Sequence, residues 1–332
     1  MKSALNSQPS TSNPMGALAR RWWRQAINNQ ALSMAAILIL MWIVLAWLSP
    51  VFLTVNNILQ ITLQAAVMAL IAAGQTFVIL SGGIDLSVGS VFALSAMVAG
   101  KATEAEFPFF IIILAGLATG ATTGLFNGLG VGALRLPPFV VTLGMLGIAR
   151  GFALIINEGV PIFGLPEGLQ YLGQGRVGGV VPVPTIVVLV VYAVCYFILA
   201  RTRFGRFTYA IGSNQEATRL AGVRTSRYLV GIYVLCGVLT ALAGLTEAGR
   251  LNSTQPAGGI ALELDAIGAV VIGGTSLFGG EGNILATLMG ALIIATIRNG
   301  LNLLGVYAFW QNVITGVLII AAVYLDHLRR NR

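Results

Sequence analysis

The chain has 332 residues, 57% of them hydrophobic and 9% charged, with 41 glycines, a net charge of +8 and a mean hydropathy of +0.87. Soluble domains carry about a quarter charged residues, so a soluble enzyme or nucleic-acid-binding module is excluded. The basic residues flank apolar runs, where membrane topology accounts for them without any nucleic acid.

Residues 1–30 read as a cytoplasmic tail ending at a membrane interface, with Arg20, Arg21 and Arg24 beside Trp22 and Trp23 and no signal-cleavage pattern. Apolar segments follow at 31–49, 58–80, 86–100, 108–133, 138–156, 183–200, 226–250, 263–278, 283–300 and 306–325. A helix crosses the bilayer with about 20 residues, so the expectation is an all-α polytopic protein of about ten spans. Segments three, eight and nine are short or glycine-interrupted. With the N-terminus inside, fourteen of the nineteen Lys and Arg residues fall on the cytoplasmic side, the arrangement that topology favours. The membrane domain then spans 31–326, and residues 327–332 return to the cytoplasm as a short tail.

Segment four carries Gly116, Gly120, Gly124, Gly128 and Gly132 at every fourth position. Such a stripe lets a neighbouring backbone approach closely, and packing within one subunit is the expectation. Cys195 and Cys236 lie inside apolar runs and read as small hydrophobes. A weak internal repeat relates segments two to five to segments seven to ten. Ala73-Gly74-Gln-Thr76 resembles Ala243-Gly244-Leu-Thr246, Gly82-Gly83-Ile84 resembles Gly258-Gly259-Ile260, and Asn127-Gly128-Leu129 resembles Asn299-Gly300-Leu301. The two halves would face opposite ways, as inverted repeats do in proteins of alternating access.

Residues 201–227 form the one long polar interruption between apolar segments, with six arginines and a single acid, Glu216. Ser213 followed by Glu216 reads as a capping box, and Gly222 suits the left-handed position after a last turn. Ala217, Leu220 and Ala221 make one small apolar face. A helix this short is not stable alone in water, so it needs a surface to dock on. A partner protein is one candidate, and an ordered loop of the membrane protein itself is the plainer one.

No enzyme emerges. The only histidine, His327, is in the C-terminal tail, no cluster has metal-ligand spacing, and there is no Walker A pattern. Gly173-Gln-Gly175-Arg-Val-Gly178 matches a dinucleotide-loop pattern but follows no strand, and is read as a chance match. The acids sit at segment ends, while segment interiors offer neutral groups such as Thr62, Gln64, Ser95, Thr122, Thr123, Thr142 and Thr240. Ion-coupled carriers usually keep an ionisable relay inside the membrane. A neutral lining therefore suits an uncharged polar solute, with energy coming from elsewhere. The outer loops 157–182 and 250–262 are candidates to receive a solute-delivering protein. Arg150, Glu247, Arg250 and Arg298 near the outer ends are expected to form structural ion pairs.

Four stretches carry a family likeness: residues 74–90 (GQTFVILSGGIDLSVGS), 205–222 (GRFTYAIGSNQEATRLAG), 263–280 (ELDAIGAVVIGGTSLFGG) and 299–305 (NGLNLLG). They resemble the permease subunits of bacterial ribose-type sugar ABC importers, and the likeness runs from about residue 30 to 326. The resemblance implies a type II-like ABC importer permease in the inner membrane, forming a dimer that is homodimeric or heterodimeric. It also implies a separate ABC ATPase subunit that binds the ATP, and a periplasmic sugar-binding protein. This chain would then need no cofactor and no metal. In that reading 213–222 looks like the coupling helix. Ser213 and Glu216 would hold it, Leu220 would anchor it, Arg219 would meet an acidic rim, and Asn214, Ala217 and Gly222 complete the set of ATPase-coupling residues. Gly82, Gly83, Asp85, Ser87, Thr142 and Asn299 are the candidates to shape a translocation path at the dimer axis. A nucleoside, amino acid or sugar-derived signal would suit a similar architecture. An ion-coupled carrier and a passive channel are the rivals from other classes.

Overall fold

The computed structural model describes residues 30–330. Thirteen helices lie among them, with two minimal β-pairs at one end. They are α1 (Gln30–Leu48), α2 (Val55–Leu80), α3 (Val88–Glu104), α4 (Phe109–Gly132), α5 (Pro138–Ile155), α6 (Glu167–Gln174) and α7 (Val183–Arg201). After these come α8 (Arg203–Ser213), α9 (Gln215–Leu220), α10 (Thr225–Leu251), α11 (Leu262–Ile272), α12 (Ile284–Leu303) and α13 (Ala308–Arg330). The strands are β1 (Ile162–Phe163), β2 (Arg176–Val177), β3 (Val181–Pro182) and β4 (Ser253–Thr254), with β1 antiparallel to β4 and β2 to β3.

Each of the ten expected segments coincides with a helix. Seven of these, α1, α2, α4, α5, α7, α10 and α12, are long and apolar enough to cross a membrane, so ten spans are not established. The eighth segment is the shortest in fact: α11 ends at Ile272, and Gly273–Gly274 leads into an irregular stretch before Asn283 caps α12 by accepting from Leu285 N–H. Local signals explain the other starts. Thr54 caps α2 through Asn57 N–H, and prolines with fixed φ open α5 and α7. Two helices were not anticipated, the amphipathic α6 and the polar α8, because both lie in stretches rich in glycine or arginine.

The core is centred on α2 and α10. Every residue of α2 from Ala65 to Leu80 is buried, as are Tyr233, Cys236, Ala243 and Leu245 of α10. The glycine stripe of α4 is spent on α10. A methyl on Gly120 would strike the Gly237 carbonyl, on Gly124 the Tyr233 carbonyl, on Gly128 the Val230 backbone and on Gly132 the Ser226 carbonyl. Backbone thus meets backbone within one chain, where van der Waals contact is the available adhesive.

The contact pattern bears the repeat. α10 packs on α4, and its counterpart α2 packs on α12. α3 touches α4 and α5, as α11 touches α12 and α13. The two lead helices run antiparallel: Gly83, past the end of α2, meets Tyr233 early in α10, while Gln64 of α2 shares a cavity with Glu247 late in α10. Each half therefore lends its first helix to the other, and the halves are inverted.

Candidate functional site

Three places hold the polar groups, and the chain builds each from residues already flagged by sequence. At one end α8 and α9 form a helical corner. Asn214, extended at φ −163°, separates them and caps α9 by accepting from Ala217 N–H at 2.8 Å. Ser213 is the last residue of α8 and does not cap, so the expected Ser213–Glu216 box is corrected by one residue. Asparagine accepts at an N-cap as well as serine does, and Ser213 is already committed to the preceding helix. Thr218 Oγ1 donates to Ala210 O at 2.9 Å and Asn214 O at 2.8 Å, folding α9 back against α8. Glu216 does not reach back to the cap. Its carboxylate takes Arg219 Nε at 3.1 Å and the Arg219 fork besides. That hydrogen bond holds the Glu216 carboxyl below its ordinary value of 4.5 and raises the guanidinium. Gly222 has φ +84°, as the turn requires. Ala217, Leu220 and Ala221 are all exposed, Leu220 at 77%.

The corner is seated on two loops at once. Gly212 packs on the Leu80 carbonyl and on Gly280 N, and that carbonyl accepts from Gly280 N–H at 2.9 Å. Tyr209 Oη donates to Gly282 O at 3.0 Å. Leu80 ends α2 and Gly280 follows α11, so α8 rests on both repeats at one point. A cleft of about 270 Å³ beside it is lined by Gly82, Gly83, Arg135, Gln215 and Tyr233, among others.

The second place is the 81–87 loop beneath. Asp85 is 2% exposed, and its Oδ1 accepts from Ser87 N–H at 2.8 Å and Ser87 Oγ at 2.6 Å. Asn127 of α4 donates to Ser87 Oγ at 2.9 Å, and Thr142 of α5 donates to Ile84 O at 3.1 Å. Gly82, Gly83, Asp85, Ser87 and Thr142 are thus brought together. Asn299 is not among them. It exchanges side-chain hydrogen bonds with Asn57 of α2, at 2.8 and 3.0 Å, and locks α12 to α2.

The third place lies at the opposite end, where α10 finishes. A cavity of about 290 Å³ is bounded by α2, α3, α10, α12 and the 253–262 loop, with Gln64, Phe92, Glu247, Arg250, Gln255 and Arg298 on its wall. Two ion pairs frame it: Glu247 holds Arg250, at 2.7 Å through Nε, and Arg298 holds the nearly buried Asp265. Arg150 makes no ion pair among the described residues, although the charge of Glu263 acts on it, and it donates to Pro256 O at 2.9 Å and Gly258 O at 2.7 Å, pinning the loop. Beneath the loop, Gly89 and Gly259 pack backbone to backbone, so α3 and α11 begin next to each other. Sequence alone grouped Glu247, Arg250 and Arg298 at the outer ends but gave no reason to join Gln64 to them, since the four come from three separate segments. The Gly173–Gly178 pattern is packing: Gly173 and Gly249 let α6 lie directly on α10.

A family profile described as "Branched-chain amino acid transport system / permease component" matches residues 57–323, from the first turns of α2 into α13. The chain belongs to this family. With its seven long apolar helices, the permease is a multi-pass membrane protein. It is 42% identical to the ribose import permease protein of Escherichia coli (strain K12), over 94% of this chain and 98% of that protein. It is 47% identical to the ribose import permease protein of Bacillus subtilis (strain 168), over 86% and 88% respectively. The fructose import permease protein of Rhizobium meliloti is 42% identical over 82% of the permease and 77% of its own length. No solved structure matches.

Proposed function

We propose that the protein is the membrane-spanning subunit of an ATP-driven importer for a monosaccharide of the ribose type. The observation that carries this is 42–47% identity to ribose import permeases along most of both chains. A separate ABC ATPase supplies the energy, and a periplasmic binding protein delivers the sugar. A second permease chain, most simply an identical one, completes the path. The subunit sits in the inner membrane with α8–α9 facing the cytoplasm.

The α9 helix is the coupling element in this reading. Its apolar residues Ala217, Leu220 and Ala221 are exposed, and nothing among the described residues covers them. An apolar residue as exposed as Leu220, on a two-turn helix in a polar loop, is an anchor in search of a groove. Motion of that anchor would reach α2 and α11 through the Gly212 seat. Arg219 is already held by Glu216, so the expected contact with an acidic rim would be shared rather than new.

The test is purification of the tagged chain in mild detergent with whatever accompanies it. Recovery of a Walker A protein, lost in Leu220→Asp while the permease stays folded, is the expected result. A chain that arrives alone yet still supports uptake would sink the ATP-driven reading in favour of an ion-coupled carrier.

A further inference from the structure

We infer that the 290 Å³ cavity at the end of α10 is a sugar-holding subsite inside the single chain, a stopping point before the path between chains. The inference rests on the proposed function and names where its substrate sits.

Position comes first. Gln64 lies near the middle of α2, and Ile294 and Ala295 near the middle of α12, so the cavity reaches from the α10 end toward the centre of the chain. It lies where the two inverted halves meet, against the adjoining starts of α3 and α11. In transporters built from inverted repeats, substrate sites form at the repeat interface, beside helices that begin or break there.

Size and charge narrow the ligand. About 290 Å³ is at the lower edge of ligand-pocket volumes, which suits one sugar ring rather than a chain of them. Three charged groups line it, Glu247, Arg250 and Arg298, and each is already paired, Glu247 with Arg250 and Arg298 with Asp265 behind the wall, so these two pairs leave no unpaired charge. An ionic solute would find no counter-charge there, whereas a neutral polyol meets carboxylate acceptors and guanidinium donors side by side.

The polar wall also has capacity to spare. Among the described residues the half-buried Gln64 amide on this wall makes no hydrogen bond. Phe92 offers an apolar face to the same space. A ring with hydroxyls on its edge and C–H groups on its face satisfies both at once. Arg150 keeps the 253–262 loop in place across the site, so the wall is formed before a ligand arrives.

The complete importer, permease with ATPase and binding protein, is reconstituted in liposomes. Ribose uptake and binding-protein-stimulated ATP hydrolysis are then measured together. Gln64→Met keeps the length of the side chain and removes the amide. Uptake is expected to fall about tenfold, the worth of one good hydrogen bond to a sugar hydroxyl, with stimulated hydrolysis and melting temperature unchanged. Ala248→Cys, on the same wall, gives an independent readout, since Cys195 and Cys236 are buried. Ribose-loaded binding protein with ATP should slow its modification by a methanethiosulfonate severalfold, and unloaded binding protein should not. Unchanged uptake in Gln64→Met, or hydrolysis lost in parallel, together with no protection at position 248 overturns the subsite. A wild-type importer that moves no monosaccharide would instead overturn the proposed function, and the subsite with it.

Discussion

Gly212 rests on the Leu80 carbonyl with no room for a methyl group between them. The same carbonyl accepts from Gly280 N–H, so three backbone segments from α8, α2 and the loop after α11 share one contact. Adding a Cβ forces at least one segment away, at a cost of about 1–3 kcal/mol for overpacking. Gly212→Ala should therefore lower melting temperature modestly and uptake severely, while the exposed α9 still retains the ATPase on purification. Full uptake in this variant would mean that the contact transmits nothing.

The α4–α10 seam makes a sharper stability prediction. Gly120→Val and Gly124→Val should leave little folded protein by size-exclusion chromatography, because each new side chain meets backbone carbonyls that cannot move aside. Gly147→Ala on α5 serves as the control. Nothing lies within 4 Å of a Cβ there, and the variant should behave as wild type.

At the 81–87 loop, Asp85→Ala removes the acceptor of two Ser87 donors in a fully buried place. Each donor left unpaired costs about 1–3 kcal/mol, so thermal stability in detergent should drop clearly. Asn127→Ala should cost less, and the double variant less than the sum, because both act on Ser87. Additive losses would show that the three residues do not form one network.

Glu216 and Arg219 lie in water, and their pair should respond to acid in one direction. The folded carboxyl is depressed below 4.5 by the Arg219 hydrogen bond. Whatever the pair contributes is thus present above the ordinary carboxylate value and is lost as pH falls through the folded one. Across the neutral range Glu216→Gln should change ATPase co-purification by a constant factor. A dependence with a midpoint near neutrality would contradict the assignment.

Much of this was legible from the chain. Apolar run length located ten helices, although α11 ends six residues before its apolar run does, and it worked best for the seven that are apolar enough to cross a membrane. The glycine stripe announced a close seam, and its partner α10 follows from the antiparallel lead helices. Less local features were hidden. The cap passed from Ser213 to Asn214 because α8, unforeseen in an arginine-rich stretch, consumed the serine. Asn299 was grouped with Asp85 on motif alone, yet it faces α2 and pairs with Asn57. The cavity draws Gln64, Phe92, Glu247 and Arg298 from four helices, and no periodicity within one segment reports such a meeting.

The seam between α4 and α10 has a consequence for what moves. These helices come from different repeats, yet their backbones touch at four successive stripe glycines, from Gly237 down to Ser226. If one repeat swung against the other, this zip would open every cycle and bare a strip of peptide to hydrocarbon. The mobile units of the permease must therefore cut across its internal kinship: ancestry divides the chain in the middle, and mechanics does not.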